Sequence, residues 1–573
     1  MSNSSPQYDV AIIGGGVSGI YSGWRLITAD PSQSKTLKKW APKKKKLKVA
    51  VFEGGDRIGG RLLSARPPGF KNTVTEIGGM RYVSSQVLVR SLVENELKLP
   101  RFEQVVDCDE NIAYLRRQHL RLSELKTPSD LPYDLDWAES EFVRQNTPSA
   151  LIGWAAAKLL PGVNHLTGEA LGEYLRNAIV DGTPLYEHGF WNLLARTMTP
   201  EAYSIARTLV GYDCLGSNAN AVDLLAEYFD FTPGVKYYLF NQGYDAVPWT
   251  LEKKFKAAGG EVIPNSWLSG FDQITLDDNT TGVILHFSDG RPSVTARSVI
   301  LAMPRRSLEL LKPEGPVLDP ARAPHVQTLI NSVEPIPLYK LFVAYAYPWW
   351  TSVGVSQGRS LTDIPIRQCF YWPVEPDGSA PSPTGNALIM AYNDLLNVDF
   401  WAGLAGAPAR HHPSLPHRLK AAATPAALFA RQPMPNAAAP TDDFSKLLRK
   451  NWDDHPAPKL MVEEMHRQLV QMHNVQYAPE PLEAAFMDWS ADPYGGGVHF
   501  WNRGYKSWEV LEDITQPVAD FPCYICGEAY STNQTWVEGA LQTAEIVLQK
   551  RLGLPAPTWI TPNPPPHKTK QKK

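Results

Sequence analysis

The stretch from Tyr8 to Gly19, Tyr-Asp-Val-Ala-Ile-Ile-Gly-Gly-Gly-Val-Ser-Gly, constrains the fold more than any other part of this chain. Val10 to Ile13 is a continuous apolar run, which suits a parallel strand buried on both faces. Gly14, Gly16 and Gly19 follow as G-x-G-x-x-G, and Ile20 to Ile27 then reads as a helix. The first glycine permits a tight turn, the second lets backbone approach a pyrophosphate, and the third lets helix pack closely on strand. The helix N-terminus offers N–H donors and partial positive charge to that pyrophosphate. A fold of the α/β class with a Rossmann-like nucleotide-binding part follows.

A second strand, Leu47 to Phe52, ends in Glu53, where a carboxylate can accept from both hydroxyls of an adenosine ribose. The usual gap between glycines and acid is about 20 residues. Here it is longer, because a lysine-rich run (Lys35, Lys38, Lys39, Lys43, Lys44, Lys45, Lys46 and Lys48) is inserted. Such a run reads as a solvated insertion rather than a nucleic-acid surface, since the whole chain carries a net charge of only −3. Beyond Glu53 comes Gly54-Gly55-Asp56-Arg57-Ile58-Gly59-Gly60-Arg61, a turn whose glycines lie flat against a ligand and whose arginines suit phosphate. Thr75 to Tyr82 repeats the pattern, running into Gly78-Gly79-Met80 with Arg81 beyond.

With 573 residues and 43% apolar content, the chain can build more than one domain around a sizeable core. No apolar run is long enough to span a bilayer, and Met1 to Gln7 lack the charged-then-apolar pattern of a secretory signal. A cytoplasmic protein is expected, with neither nucleic acid nor membrane as partner. Five cysteines make no disulfide framework. Cys523 and Cys526 form C-x-x-C on a predicted strand, Phe521 to Gly527, where residues three apart face opposite sides. His411, His412 and His417 sit in an Ala/Pro-rich loop without acidic or cysteine partners, so no metal site is expected.

Further along, Asp130 to Phe231 lacks strand alternation and holds helical patterns at Gly168–Val180 and Ala221–Phe229. Gln242 to Pro248 opens a helix, Trp249–Ala258, that Gly259-Gly260 ends. Strands are predicted at 261–263, 282–287 and 299–302, with a hairpin turn at Ser288-Asp289-Gly290. More strands follow at 338–347, 370–373 and 387–392. Ala402 to Pro440 is low-complexity sequence, expected as a long surface loop. Phe444 to Val475 reads as helix, Tyr524 to Gly527 as strand, Val537 to Leu552 as a long helix, and the tail from residue 553 as disordered.

Taken together, Asp9 through Gly19, Glu53, Asp56-Arg57-Ile58-Gly59-Gly60-Arg61, Glu76-Ile77-Gly78-Gly79-Met80-Arg81 and Cys526-Gly527-Glu528 resemble the flavin-containing amine oxidase superfamily, most of all its L-amino-acid oxidases. The resemblance implies FAD held in a discontinuous domain (8–70, 235–320 and 515–552). It also implies a mixed-sheet substrate domain (71–129 and 321–514), a helical insertion (130–234) and a homodimer or higher oligomer. By resemblance Gly14, Gly16, Ser18 and Gly19 cradle the pyrophosphate, Glu53 and Gly54 meet the adenosine ribose, and Gly60 and Arg61 lie along the phosphates. Gly79, Met80, Arg81, Leu268, Trp489, Gly527, Glu528, Trp536 and Val537 complete the expected cofactor contacts. The helix from Val537 is expected to aim its N-terminus at the flavin pyrimidine.

The same resemblance implies oxidative deamination of L-amino acids by O2, giving 2-oxo acids, ammonia and hydrogen peroxide. Arg81 carries the substrate class, because a carboxylate buried beside an apolar ring needs a charge-assisted partner. Tyr371, with Phe370 and Trp372 as the neighbouring registers, is expected to donate to the same carboxylate. Lys340, on an otherwise apolar strand, resembles the lysine that holds a water near flavin N5. Trp536 resembles the aromatic wall of the substrate site, the Thr535 carbonyl an acceptor for the amino group, and Glu227 or Tyr228 a side-chain wall. Trp489 to Tyr494 resembles a supporting block beneath the flavin. Amine or polyamine oxidation, decarboxylating monooxygenation and a non-enzymatic flavoprotein are the competing readings. Products separate the first two, and peroxide release on adding amino acids excludes the last.

Overall fold

The computed structural model describes residues 5–41, 46–71, 73–213, 218–230, 234–372, 385–406, 426–435, 437 and 439–561. The nucleotide-binding half is built on a sheet whose centre is the strand Tyr8–Ile13. This strand pairs in parallel with Val49–Phe52 on one side, register Ile13 to Phe52, and with Val294–Leu301 on the other, register Ile13 to Leu301. Glu261–Ile263 adds an outer parallel strand next to Val49–Phe52. Cys523–Ile525, from near the other end of the chain, joins Val294–Leu301 in parallel. Val10, Ala11, Ile12, Ala50 and Val51 are wholly buried, as expected of strands covered on both faces. The helices Val17–Thr28, Ala246–Ala257 and Val537–Ile546 pack together over one face. An antiparallel extension, Leu268–Thr275 with Thr281–Phe287, completes the sheet.

The second half rests on a seven-stranded sheet in the order Glu483–Asp488, Leu338–Tyr345, Ala387–Asp394, Gln368–Trp372, Arg359–Thr362, Ile112–Leu115, Gln118–Arg121. Leu338–Tyr345 is buried along its whole length, because strands pair on both edges and side chains cover both faces. A small sheet of Tyr82–Val83, Tyr237–Phe240 and Arg101–Gln104 ties the two halves, so Tyr237–Phe240 pairs with strands expected in the other domain. Between 130 and 234 the described chain is mainly helical, including Trp137–Gln145, Leu151–Leu159, Pro200–Val210 and Ala221–Asp230, and it has a core of its own.

Several expectations shift. The helix predicted at 444–475 is two helices, Asp443–Asp453 and Lys459–His473, broken where Pro456 and Pro458 remove backbone donors. The predicted 249–258 helix starts earlier, at Ala246, because its first turn tolerates Pro248. The strand Leu268–Thr275 was not predicted; a register shift between Leu268 and Gly270 breaks its alternation. Gly553 to Thr561, expected to be disordered, is packed: Leu554 is buried and Trp559 meets Tyr21 edge-on. Part of the low-complexity segment is packed as well, with Met434 buried. His411, His412 and His417, residues 407–425 and the tail from 562 lie outside the described residues. Within the lysine-rich run, Lys35–Trp40 is a short helix with Leu37 buried. No described helix is long and apolar enough to cross a membrane.

Candidate active site

Where the first two strands end, the chain forms a cradle. Gly14 has φ +104°, and a Cβ there would lie 2.4 Å from the Ala302 carbonyl. At Gly19 a Cβ would fall 1.9 Å from the Gly14 carbonyl, so helix and turn touch through bare backbone. Gly16 differs: a Cβ there would meet no protein atom within 4 Å, because the position faces a cavity. The helix Val17–Thr28 begins here without a capping side chain, leaving first-turn N–H groups available to an anion. Glu53, at the tip of the second strand, accepts from the Gly15 amide at 2.6 Å and the Gly55 amide at 2.8 Å. A cradle of bare backbone, open donors and a carboxylate fits a dinucleotide.

The cavity extends about 1000 Å³ from this cradle to the helical insertion. Gly14, Gly16, Ser18, Glu53, Gly54, Gly60, Arg61, Gly79, Met80, Leu268, Trp489, Gly527, Glu528 and Val537 all line it. Gly19 is the exception; it serves packing, not the cavity surface. Trp489 is anchored by an indole N–H donated to the Ile77 carbonyl at 3.0 Å.

Arg61 and Glu528, both expected as cofactor contacts, form an ion pair with each other at 2.8 Å. Glu528 also accepts from the His499 ring at 2.9 Å, the His499 amide at 3.0 Å and the Thr535 amide at 2.8 Å. Burial pushes the Glu528 carboxyl up, but Arg61, His499 and the Thr535 amide outweigh it and hold it at about 2. His499, wholly buried, is pushed down by burial despite this carboxylate.

Deeper in, Lys340 reaches the cavity from the buried strand Leu338–Tyr345. Its Nζ donates to the Glu76 carbonyl at 2.9 Å and to the Gly78 carbonyl, and stands 5.0 Å from the centre of the Tyr392 ring. Arg81 lies in the same cavity, half-buried, with its guanidinium 4.2 Å from the Tyr237 ring centre and 5.7 Å from that of Phe370. One donor goes to Gln104 Oε1 at 3.0 Å; no carboxylate ion-pairs with Arg81 among the described residues.

Tyr371 does not join this group. Its ring faces the opposite side of the strand Gln368–Trp372, where its hydroxyl lies 2.7 Å from both Ser360 Oγ and His473 Nε2, closed in by Trp350. Strand alternation turns Phe370 toward Arg81 and Tyr371 away from it. The cavity tyrosine on this sheet is Tyr392, cross-strand from Lys340 and missed by the sequence analysis. The signal was present: Tyr392 and Lys340 interrupt two neighbouring apolar strands.

Trp536 and Thr535 line the cavity next to the helix Val537–Ile546. Thr535 has φ +74°, a conformation that costs a β-branched residue and favours glycine. The Trp536 indole N–H approaches Glu227 Oε1 at 3.4 Å, and Glu227 and Tyr228 both face the cavity. Two further lining features were missed. Trp267 leans over Gly54 at the adenosine end, where a Cβ would lie 3.0 Å from its ring. Arg359 pairs with Asp107 at 3.1 Å on the insertion side, with its guanidinium 6.0 Å from the Phe370 ring centre.

Similarity to known proteins agrees with this geometry. Aplysianin-A of Aplysia kurodai is 26% identical over 94% of this chain and 89% of its own length. Achacin of Lissachatina fulica is 24% identical over 95% of this chain and 93% of its own. An L-amino-acid oxidase of Crotalus adamanteus is 24% identical over 69% of this chain and 68% of its own. Among solved structures, putrescine oxidase superposes with a TM-score of 0.61 at 16% identity, covering 95% of this chain and 98% of that one. Cyclohexylamine oxidase from Brevibacterium oxydans superposes with a TM-score of 0.58 at 18% identity, covering 95% of this chain and 100% of that one. The profile of the flavin-containing amine oxidoreductases matches residues 18–399, and with an FAD-shaped cradle in place the chain belongs to that family.

Proposed function

We propose that this flavoprotein is an L-amino-acid oxidase. Arg81 carries the reading: a guanidinium inside the cavity, flanked by two aromatic rings and bonded, among the described residues, to the neutral Gln104 side chain, is suited to a substrate carboxylate. The Crotalus relatives bear the name L-amino-acid oxidase, which supports it. When bound, FAD supplies the acceptor for a hydride from Cα and passes the electrons to O2, which leaves as hydrogen peroxide.

The chain itself orients and excludes. Arg81 fixes the carboxylate, and Tyr392, rather than Tyr371, offers a cavity-facing phenol nearby. The Thr535 carbonyl accepts from the amino group, while Trp536 supplies an aromatic wall of the cavity. Glu227, beside Trp536, favours substrate side chains that bring hydrogen-bond donors. Lys340 spends two N–H donors on the Glu76 and Gly78 carbonyls and keeps its third for water or O2 in the cavity. A positive charge there stabilises anionic oxygen as it forms. The imino acid released from Cα is hydrolysed by water to a 2-oxo acid and ammonia.

Peroxide release across the L-amino acids and a set of simple amines tests the reading. L-Amino acids are expected to be oxidised and carboxylate-free amines poorly. Arg81→Ala is expected to raise KM for L-amino acids at least about 30-fold, the loss of a charge-assisted contact of about 2 kcal/mol or more, while FAD content stays at the parent level. Loss of bound FAD in that variant moves Arg81 to the cofactor, and preferential oxidation of amines rejects the amino-acid assignment.

A further inference from the structure

One buried acid beside the site has no role in the steps above. Glu76 is 1% exposed, and its carboxyl is held from two sides. Ser64 Oγ donates to Oε2 at 2.7 Å, and the Tyr244 amide donates to Oε1 at 2.8 Å. The backbone carbonyl of the same residue accepts from Lys340, which is 2% exposed. Acid and amine are thus both buried and meet through that backbone carbonyl, without a direct ion pair between them.

The groups facing each partner are few. Arg81 faces Lys340 and disfavours its charge, Glu76 favours it, and the Tyr392 ring stands 5.0 Å away. Facing Glu76 are Lys340, Ser64, Tyr244 and Asp245. Asp245 is itself buried and disfavours the Glu76 charge; its Oδ2 accepts from the Ser64 amide at 2.9 Å, its own amide donates to Ser64 Oγ at 3.0 Å, and Arg57 favours its carboxylate form. Burial raises the Glu76 carboxyl and lowers the Lys340 amine, and each charge, once present, favours the other. Ser64 is the hinge of this arrangement. It takes a hydrogen from the Asp245 amide and so has its own to give to Glu76, which steadies the carboxylate form.

We propose that Glu76 is the counter-charge of Lys340: a positioning residue, braced by Ser64, that keeps the amine protonated where it faces the flavin cavity. The proposal rests on the reading of Lys340 as the group that assists reaction with O2. It assigns work to an acid that never touches substrate or cofactor.

The test is stopped-flow reoxidation of the photoreduced holoenzyme by O2, without amino acid, between about pH 5 and pH 10, a range that spans the titration of a perturbed lysine. In the parent the rate is expected to fall on the alkaline side as Lys340 loses its proton. Glu76→Gln is expected to shift that fall toward lower pH by about one unit or more. FAD content and the rate of reduction by amino acid stay at parent levels. Ser64→Ala, which removes one donor to the carboxylate, is expected to shift it the same way by less, and carries the comparison if Glu76→Gln fails to fold. Lys340→Met is expected to slow reoxidation and abolish the alkaline limb. A parent-like rate in Lys340→Met overturns the role of Lys340 itself, and the proposal with it. A slow Lys340→Met beside Glu76→Gln and Ser64→Ala profiles that superimpose on the parent's overturns the counter-charge alone.

Discussion

At the residue scale, chemistry here is decided by which face of a strand a side chain takes. Phe370 and Tyr371 are adjacent, yet one stands 5.7 Å from Arg81 and the other bonds His473 across a closed core. Resemblance assigned the carboxylate phenol to Tyr371, because a motif match fixes a neighbourhood and not a facing. Lys340 was legible for a physical reason: an amine amid apolar neighbours on a buried strand has to find partners. Thr535 shows the opposite case, a residue whose backbone disagrees with its side chain. A left-handed conformation costs a residue with a Cβ roughly 1–2 kcal/mol, of which glycine's extra unfolded-state entropy takes back about half. Thr535→Gly is therefore expected to stabilise the protein by about 0.5–1 kcal/mol, read as a higher denaturant midpoint. A lower midpoint rejects the strain.

At the scale of the element, the glycine turn separates binding from packing. Alanine at Gly16 enters open space, whereas alanine at Gly19 collides with the Gly14 carbonyl. Gly16→Ala is expected to leave the apo-protein's stability within about 0.5 kcal/mol of the parent and to weaken FAD retention, measured by flavin absorbance after desalting. Gly19→Ala is expected to cost about 3 kcal/mol or more before any cofactor is added, read by thermal unfolding of the apo-protein. Equal behaviour of the two variants rejects this division. Elements with strong local signals were the legible ones. Tyr8–Ile13, Val17–Thr28, Ala221–Asp230 and Val537–Ile546 were foreseen within a few residues, because apolar period and glycine punctuation mark them. Leu268–Thr275 and the small sheet around Tyr237–Phe240 were not, because a bulge and short strands paired across distant sequence leave little local pattern.

Across the whole molecule, one carboxylate fastens two other parts of the chain to its own loop. Glu528 receives Arg61 from the glycine turn, His499 from the strand Val498–Trp501 and the Thr535 amide from its own loop. Its folded pKa, about 2, is below the ordinary value of 4.5, so its contribution is present above that ordinary value and is lost as pH falls from 4.5 toward 2. The shift corresponds to roughly 3 kcal/mol. Stability is expected to decline over this acid window, and Glu528→Gln to flatten the decline while lowering stability at neutral pH by about 3 kcal/mol or more, since Arg61 and His499 lose their partner. Chemical unfolding at a series of pH values checks both. An unchanged acid slope in the variant rejects the assignment.

The central sheet places Tyr8–Ile13, Val294–Leu301 and Cys523–Ile525 side by side, although hundreds of residues separate them along the chain. During translation, then, the first strand emerges long before its second-nearest neighbour exists, and the nascent polypeptide has to wait unclosed while the ribosome makes nearly all of the rest. A product shortened ahead of Cys523 leaves one edge of Val294–Leu301 without the parallel neighbour it has in the folded protein.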